Sequence, residues 1–150
     1  MELQEKHNSA MLLADKADAL RRQGKKSEAD TLYRQSLEAE RQAALLAREQ
    51  AFGEPTESVL FRSAASLAYS INDYREAERL ICLGLAGNPP AEIADELRSL
   101  YDSVNLDRSI GKLKQLKPET ERENVTLTIP VGERSLLNVL VRKFGRACAF

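Results

Sequence analysis

The chain has 150 residues, 43% hydrophobic and 30% charged, with no Trp and a formal net charge of −1; this describes a folded globular protein, not a disordered tail or a membrane span. With only 5% aromatic residues, a core must come from small and aliphatic side chains, which favours close-packed helices. No apolar run approaches the roughly 18 residues of a bilayer span, and the opening "MELQEKHNSA" lacks the basic-then-apolar layout of a signal peptide, so the expectation is a cytoplasmic protein without membrane contact.

In chain order, "LLADKADALRRQ" spaces Leu12, Leu13, Ala17 and Leu20 for a first helix, and Gly24 is suited to end it in the left-handed conformation. Ser27 with Asp30 forms a candidate capping box for a second helix, whose stripe of Ala29, Leu32, Tyr33, Ser36, Leu37, Ala44 and Ala47 continues to about Gln50. Gly53 and Pro55 break that helix, and Val59, Leu60, Ala64, Leu67, Ala68 and Ile71 mark a third. Asp73 with Glu76 repeats the capping-box pattern before a fourth helix through Ala77, Leu80, Ile81 and Leu85, which "GNPP" stops. Pro90 suits the first turn of a fifth, with Ile93, Leu97, Leu100 and Val104 on one face.

From Ile110 the pattern changes. "GKLKQLKPETEREN" reads as a linker or a short helix leading to an exposed segment. "ENVTLTIPVGE" then alternates Val125, Leu127, Ile129 and Val131 with polar residues and Pro130, the period of a half-buried strand. Leu136, Leu137, Leu140, Val141 and Phe144 follow at helical spacing. A single strand leaves backbone groups unpaired on both edges. It therefore pairs with its copy in a homodimer, adds to the sheet of another protein, or lies along the helical body without a ladder. The domain expectation is a helical body over 1–108, a linker over 109–123 and a strand–helix element over 124–150, with Val125, Leu127, Ile129, Val131, Leu137, Leu140 and Phe144 as dimerisation or docking residues.

Charge is uneven. Residues 1–111 carry 14 Lys or Arg against 19 Asp or Glu, whereas residues 112–150 carry 8 against 4, an acidic body with a basic tail. Cys82 and Cys148 form no CxxC, and His7 is the only histidine, so neither a metal site nor any other cofactor is expected. Cys82, inside a helix, reads as a small core residue and His7 as a surface one. No GxSxG, phosphate-cradling glycine loop or HExxH occurs. The expectation is a binding protein, not an enzyme.

Two pieces of the body are alike. "RRQGKKSEADTLYRQSLEAE" and "YSINDYREAERLICLGLAGNPP" each carry a turn and Glu-Ala (Glu28-Ala29, Glu76-Ala77), a bulky residue (Tyr33, Ile81), a small one (Ser36, Gly84) and then Leu (Leu37, Leu85). In these features the chain resembles the tetratricopeptide repeat family over about residues 8–105, the second unit more closely because its "Asn-Asp-Tyr" turn and closing "NPP" also match. Ala29 and Ala77 stand 48 residues apart, against the family's repeat of roughly 34, so the second helix is overlong. The resemblance implies a mainly α fold of antiparallel helical hairpins with a capping helix and the strand–helix appendage. It also implies a groove that receives a peptide or partner helix, lined by Met11, Ala14, Asp18, Arg21 and Arg22 of the first unit and Val59, Arg62, Ser66, Tyr69 and Ser70 of the second. Chaperone-binding members grip a carboxylate with Lys and Asn where this chain has Ala14 and Asp18, so that ligand is not implied. The surplus turns of the second helix would seal one end of the stack or meet a second subunit.

"VTLTIPVGERSLLNVLVRKFG" is also similar to the opening of ribbon–helix–helix regulators and antitoxin-type proteins, which read DNA from paired strands. That resemblance implies outward Thr126 and Thr128, with Arg142 and Lys143 near phosphates. The expected function is thus a protein-interaction adaptor that dimerises or docks through its tail, with a nucleic-acid-associated regulator as the alternative.

Overall fold

The structure, a computed structural model, describes residues 2–115, with side chains to residue 112. The described chain is mainly α: α1 (Glu2–Arg22), α2 (Lys26–Glu49), α3 (Thr56–Ser70), α4 (Tyr74–Leu85) and α5 (Ala91–Gln115). Among the described residues no helix is long and apolar enough to cross a membrane. The expected strand and final helix, with Val125, Leu127, Ile129, Val131, Leu137, Leu140 and Phe144, lie outside the described residues.

The helix ends follow from local chemistry. In α1, Glu2 and Glu5 sit in the first turn and Arg21 and Arg22 in the last, the arrangement that complements the helix dipole. Three helices end by one device. Lys25 N–H donates to Leu20 O at 3.0 Å and Gly24 N–H to Arg21 O at 3.0 Å, with Gly24 at φ +80°, a Schellman cap. The same pair of bonds recurs at Ala51 and Phe52 after α2, and at Asn72 and Asp73 after α3. The left-handed residues there are Ala51 (φ 50°) and Asn72 (φ 60°). Gly53, the expected terminator, also has positive φ but lies two residues beyond the one that ends α2.

The two expected capping boxes fare differently. Asp73 caps α4, its carboxylate accepting from Glu76 N–H at 3.2 Å. Ser27 and Asp30 do not cap α2: the helix starts a residue before Ser27, with Lys25 at the cap and no side-chain cap bond. Ser27 lies in the first turn, where its carbonyl accepts from Thr31 Oγ1 at 3.0 Å. Pro90 stands one residue before α5 and its carbonyl accepts from Ala94 N–H at 2.9 Å. The fifth helix continues past Gly111 to Gln115, into the segment read as the start of a linker.

Neighbouring helices pack as α1 on α2, α2 on α3, α3 on α4 and α4 on α5, with α5 also against α3. The core stripes of α2 to α5 match the expected periodicity, with Leu32, Val59, Ile71, Leu85, Ile93 and Leu100 only half-buried. That of α1 matches only in part: Ala17 is buried and Leu20 packs against the core, but the other buried residue is Ala10 and Leu12 is 56% exposed. Small side chains bring α1 and α2 close, so the apolar face rotates toward the alanines and leaves Leu12 outside. The overlong α2 is matched by a nearly as long α1, which reaches back along it: Ser36 Oγ donates to Ala10 O at 2.7 Å, and His7 Nδ1 meets both Glu40 oxygens at 2.9 and 3.1 Å. Glu40 is fully buried. His7, expected at the surface, is therefore half-buried as the partner of a core carboxylate. Cys82, expected in the core, is exposed, because the buried face of α4 is Ala77, Leu80, Ile81 and Gly84.

Gly84 marks a close approach of helices. A Cβ there would stand 3.0 Å from Leu97 Cδ1 and 3.2 Å from Phe61 Cβ, so α3, α4 and α5 converge on a position where a methyl group does not fit freely.

Two arginines bind the helices together in the same way. Arg21 of α1 stacks 4.3 Å from the ring centroid of Tyr33 on α2 and donates to Ser70 O at the end of α3 at 2.9 Å. Arg48 of α2 stacks 4.5 Å from the ring centroid of Phe61 on α3 and donates to Leu83 O in the last turn of α4 at 2.6 Å. Each cation combines a ring face with an otherwise unpaired C-terminal carbonyl. Glu57 completes the second cluster, accepting from Arg48 Nε at 2.7 Å.

Candidate functional site

Helices α3 and α5 are in contact, and residues of both line an open groove of about 610 Å³. Arg62, Ser63 and Ser66 line it from α3; Glu92, Asp95, Glu96, Ser99 and Leu100 line it from α5. Arg62 pairs with Glu96 across the groove. Ser66 and Ser99 donate to the carbonyls four residues before them, Arg62 O at 3.0 Å and Asp95 O at 2.9 Å; their oxygens retain lone pairs for an incoming donor. Asp95 holds Arg98 at 2.8 Å, a pair exposed enough that solvent screens it. Three carboxylates and one arginine line the groove, with Glu96 paired to Arg62 and Asp95 to Arg98.

The expected groove residues are divided by the structure. Arg62 and Ser66 share this groove. Tyr69, lower on α3, is half-buried and donates to Asp107 of α5 at 2.7 Å; burial, and then that bond, raise its phenol pKa. Its hydroxyl thus fastens α3 to α5. Val59 is half-buried and is not among the lining residues. On α1, Asp18 accepts from Tyr33 O–H, Met11 is half-buried and Arg22 is exposed; none of the three lines the groove. Arg21 and Ser70 are joined to each other, and Ala14 packs against the core.

The acidic wall contributed by α5 was not among the expected site residues. Glu92, Asp95, Glu96 and Ser99 share a helix face by their spacing, but such a face is ordinary on a solvated helix. What assembles it is the packing of α5 on α3. Among the described residues no group of His, Cys, Asp and Glu is arranged to hold a metal ion.

No protein-family model matches this chain, nor does any curated protein or solved structure.

Proposed function

We propose that the helical unit is a non-enzymatic protein-interaction module of the tetratricopeptide type, an adaptor that binds a segment of a partner protein. In this reading α1/α2 and α3/α4 are successive hairpins and α5 is the capping helix. Three features support it: Ala77 and Gly84 stand at the helix contacts, α5 packs on both helices of the preceding hairpin, and the arginine device of Arg21 repeats at Arg48. Packed helices hold the lining side chains in place before binding, which lowers the entropy cost of capture. The observation that carries the reading is the α3–α5 groove, where Arg62 and Ser66 meet Glu92, Asp95 and Glu96.

The partner segment is basic. Its Lys or Arg side chains pair with Glu92 and Asp95, and its backbone donates to the serine hydroxyls. The test is selection from a display library of random peptides, followed by titration of the winners. Lys- and Arg-rich peptides whose affinity falls at least about tenfold in Glu92→Lys/Asp95→Lys support this site. Winners indifferent to both changes sink it.

The segment 124–150 serves in this proposal as the dimerisation or docking element, through Val125, Leu127, Ile129 and Val131 of a strand and Leu137, Leu140 and Phe144 of a helix. Light scattering of the full chain checks it: a dimer that becomes a monomer with Leu127→Lys/Ile129→Lys supports the tail contact, and a wild-type monomer removes the dimer.

A further inference from the structure

The other large groove, about 670 Å³, lies between α2 and α4 and the turn before α4. Arg34 and Arg41 line its α2 side, and Arg75 and Arg79 its α4 side. Four carboxylates stand among them, so the charge looks balanced until each is followed to its partner.

Glu38 is held by Arg41 at 2.7 Å and Gln42 at 2.8 Å. The Gln42 bond and then Arg41 keep its carboxyl below the ordinary range against the opposing effect of burial. Glu76 accepts from Arg79 at 3.2 Å through Oε2, while its buried Oε1 has no partner among the described residues. Glu78 is paired at 2.6 Å with Arg108 of α5, a cation from outside the groove that raises the local positive charge. Asp73 is committed to the N-cap of α4. Arg34 and Arg75 remain: both are exposed, and neither makes an ion pair or side-chain hydrogen bond with any described residue. The lining also includes Leu37 and Ile71, one buried and one half-buried.

We propose that this α2–α4 groove docks an acidic peptide segment of a partner protein, with an aliphatic side chain on Leu37 and Ile71 and flanking carboxylates on Arg34 and Arg75. Guanidinium forks match carboxylates bidentately and surrender their hydration more readily than ammonium groups. The same lining disfavours a nucleic acid. A polyanion would lie over Glu38, Asp73, Glu76 and Glu78 as well as the arginines, whereas a peptide with a few spaced carboxylates meets only the two unpaired cations. The apolar residues of the lining have no use for an isolated small anion.

The probe is a short fluorescent peptide with a central leucine between glutamates, titrated against the full chain by anisotropy. The same peptide with glutamines in place of glutamates is the control. Saturable binding is expected, weakened about tenfold by Arg75→Ala and further by Arg34→Ala/Arg75→Ala, with the glutamine peptide correspondingly weak. Arg34→Lys/Arg75→Lys keeps the charge and recovers only part of the affinity, because the fork is lost. Glu92→Lys/Asp95→Lys in the other groove leaves this affinity unchanged, which separates the two sites. All these positions are exposed, so unchanged far-ultraviolet circular dichroism shows that a loss is local. No binding by the wild-type chain, equal binding of the glutamine peptide, or indifference to the double alanine change would overturn the proposal. So would preferential, Arg34- and Arg75-dependent binding of single-stranded DNA.

Discussion

The helix pairs α1–α2 and α3–α4 are held together by different means. In α1–α2 the first helix buries only Ala10 and Ala17, and five polar links join the pair: His7 with Glu40, Ser36 with Ala10 O, Tyr33 with Asp18, Lys6 with Gln42 and Arg21 with Asp30. In α3–α4 the contact is made by volume, with Leu60, Phe61, Leu67, Leu80 and Ile81 buried. A buried Leu, Ile or Phe side chain contributes about 1.5–3 kcal/mol, far more than an alanine methyl. The first pair buries only Tyr33 and Leu37 among its bulky apolar side chains, so the second carries the larger apolar share, while the first relies more on close approach and on directional bonds. Alanine seams specify position poorly by themselves, since one small residue resembles the next. Directional hydrogen bonds at Ser36 and Glu40 supply the missing specificity.

The largest effect expected from this contrast is at Phe61. Phe61→Ala opens a cavity where three helices meet and removes the ring under Arg48, at a cost of about 3–5 kcal/mol in urea unfolding. A loss under about 1 kcal/mol would show that the α3–α4 pair is not the apolar anchor. In α1–α2, His7→Ala strips buried Glu40 of its side-chain partner and should cost about 1–3 kcal/mol. The double change His7→Leu/Glu40→Met replaces the pair by apolar volume and should restore most of that. If both variants lose equally, packing around the pair, not its polarity, sets the register.

Next comes Gly84→Ala. Helix propensity favours alanine by about 1 kcal/mol, but the new methyl meets Leu97 and Phe61 at 3.0 and 3.2 Å. Overpacking of this kind costs about 1–3 kcal/mol, so a net loss is expected, measurable as a lowered Tm. The reverse sign is expected at Ala51, where a left-handed alanine ends α2. Ala51→Gly relieves its strain and should stabilise by up to about 1 kcal/mol, and a destabilised variant would contradict that Schellman cap.

The smallest effect is confined to alkaline pH. Tyr69 and Tyr33 both have raised phenol pKa values, chiefly through burial and then through bonds to Asp107 and Asp18. A raised folded value means that the folded chain keeps its proton while the unfolded chain loses it. Stability is then fully present below about pH 10, the ordinary tyrosine range, and declines above it. Tyr69→Phe should flatten that decline more visibly in urea titrations above pH 10 than at neutral pH. An unchanged slope would mean that another group sets it.

Much of the body was legible because helix punctuation is local. Gly24, Asp73 and the prolines before α5 act on residues within one turn, and the stripes of α2, α3 and α4 repeat at helical spacing with bulky residues to mark them. The errors also have local causes. Leu12 outweighs Ala10 in any reading by hydrophobicity, yet a close helix pair selects the smaller residue. Ser27 and Asp30 have the spacing of a capping box, but α2 starts at Lys26 and leaves Ser27 inside its first turn. Of the two grooves, only Arg62 and Ser66 were anticipated, because each wall belongs to a different stretch of chain.

By itself the sequence determined the helical class, the long second helix, the turn positions and most of the buried stripes, since periodicity and capping are properties of neighbouring residues. Only the tertiary structure decided which charges remain unspent. Glu78 finds its partner on α5, Glu40 at the start of α1 and Glu96 on α3, each 30 or more residues away in the chain. Arg34 and Arg75 stand out only after those pairings are known, because an ion pair is a relation in space that a one-dimensional charge pattern does not contain.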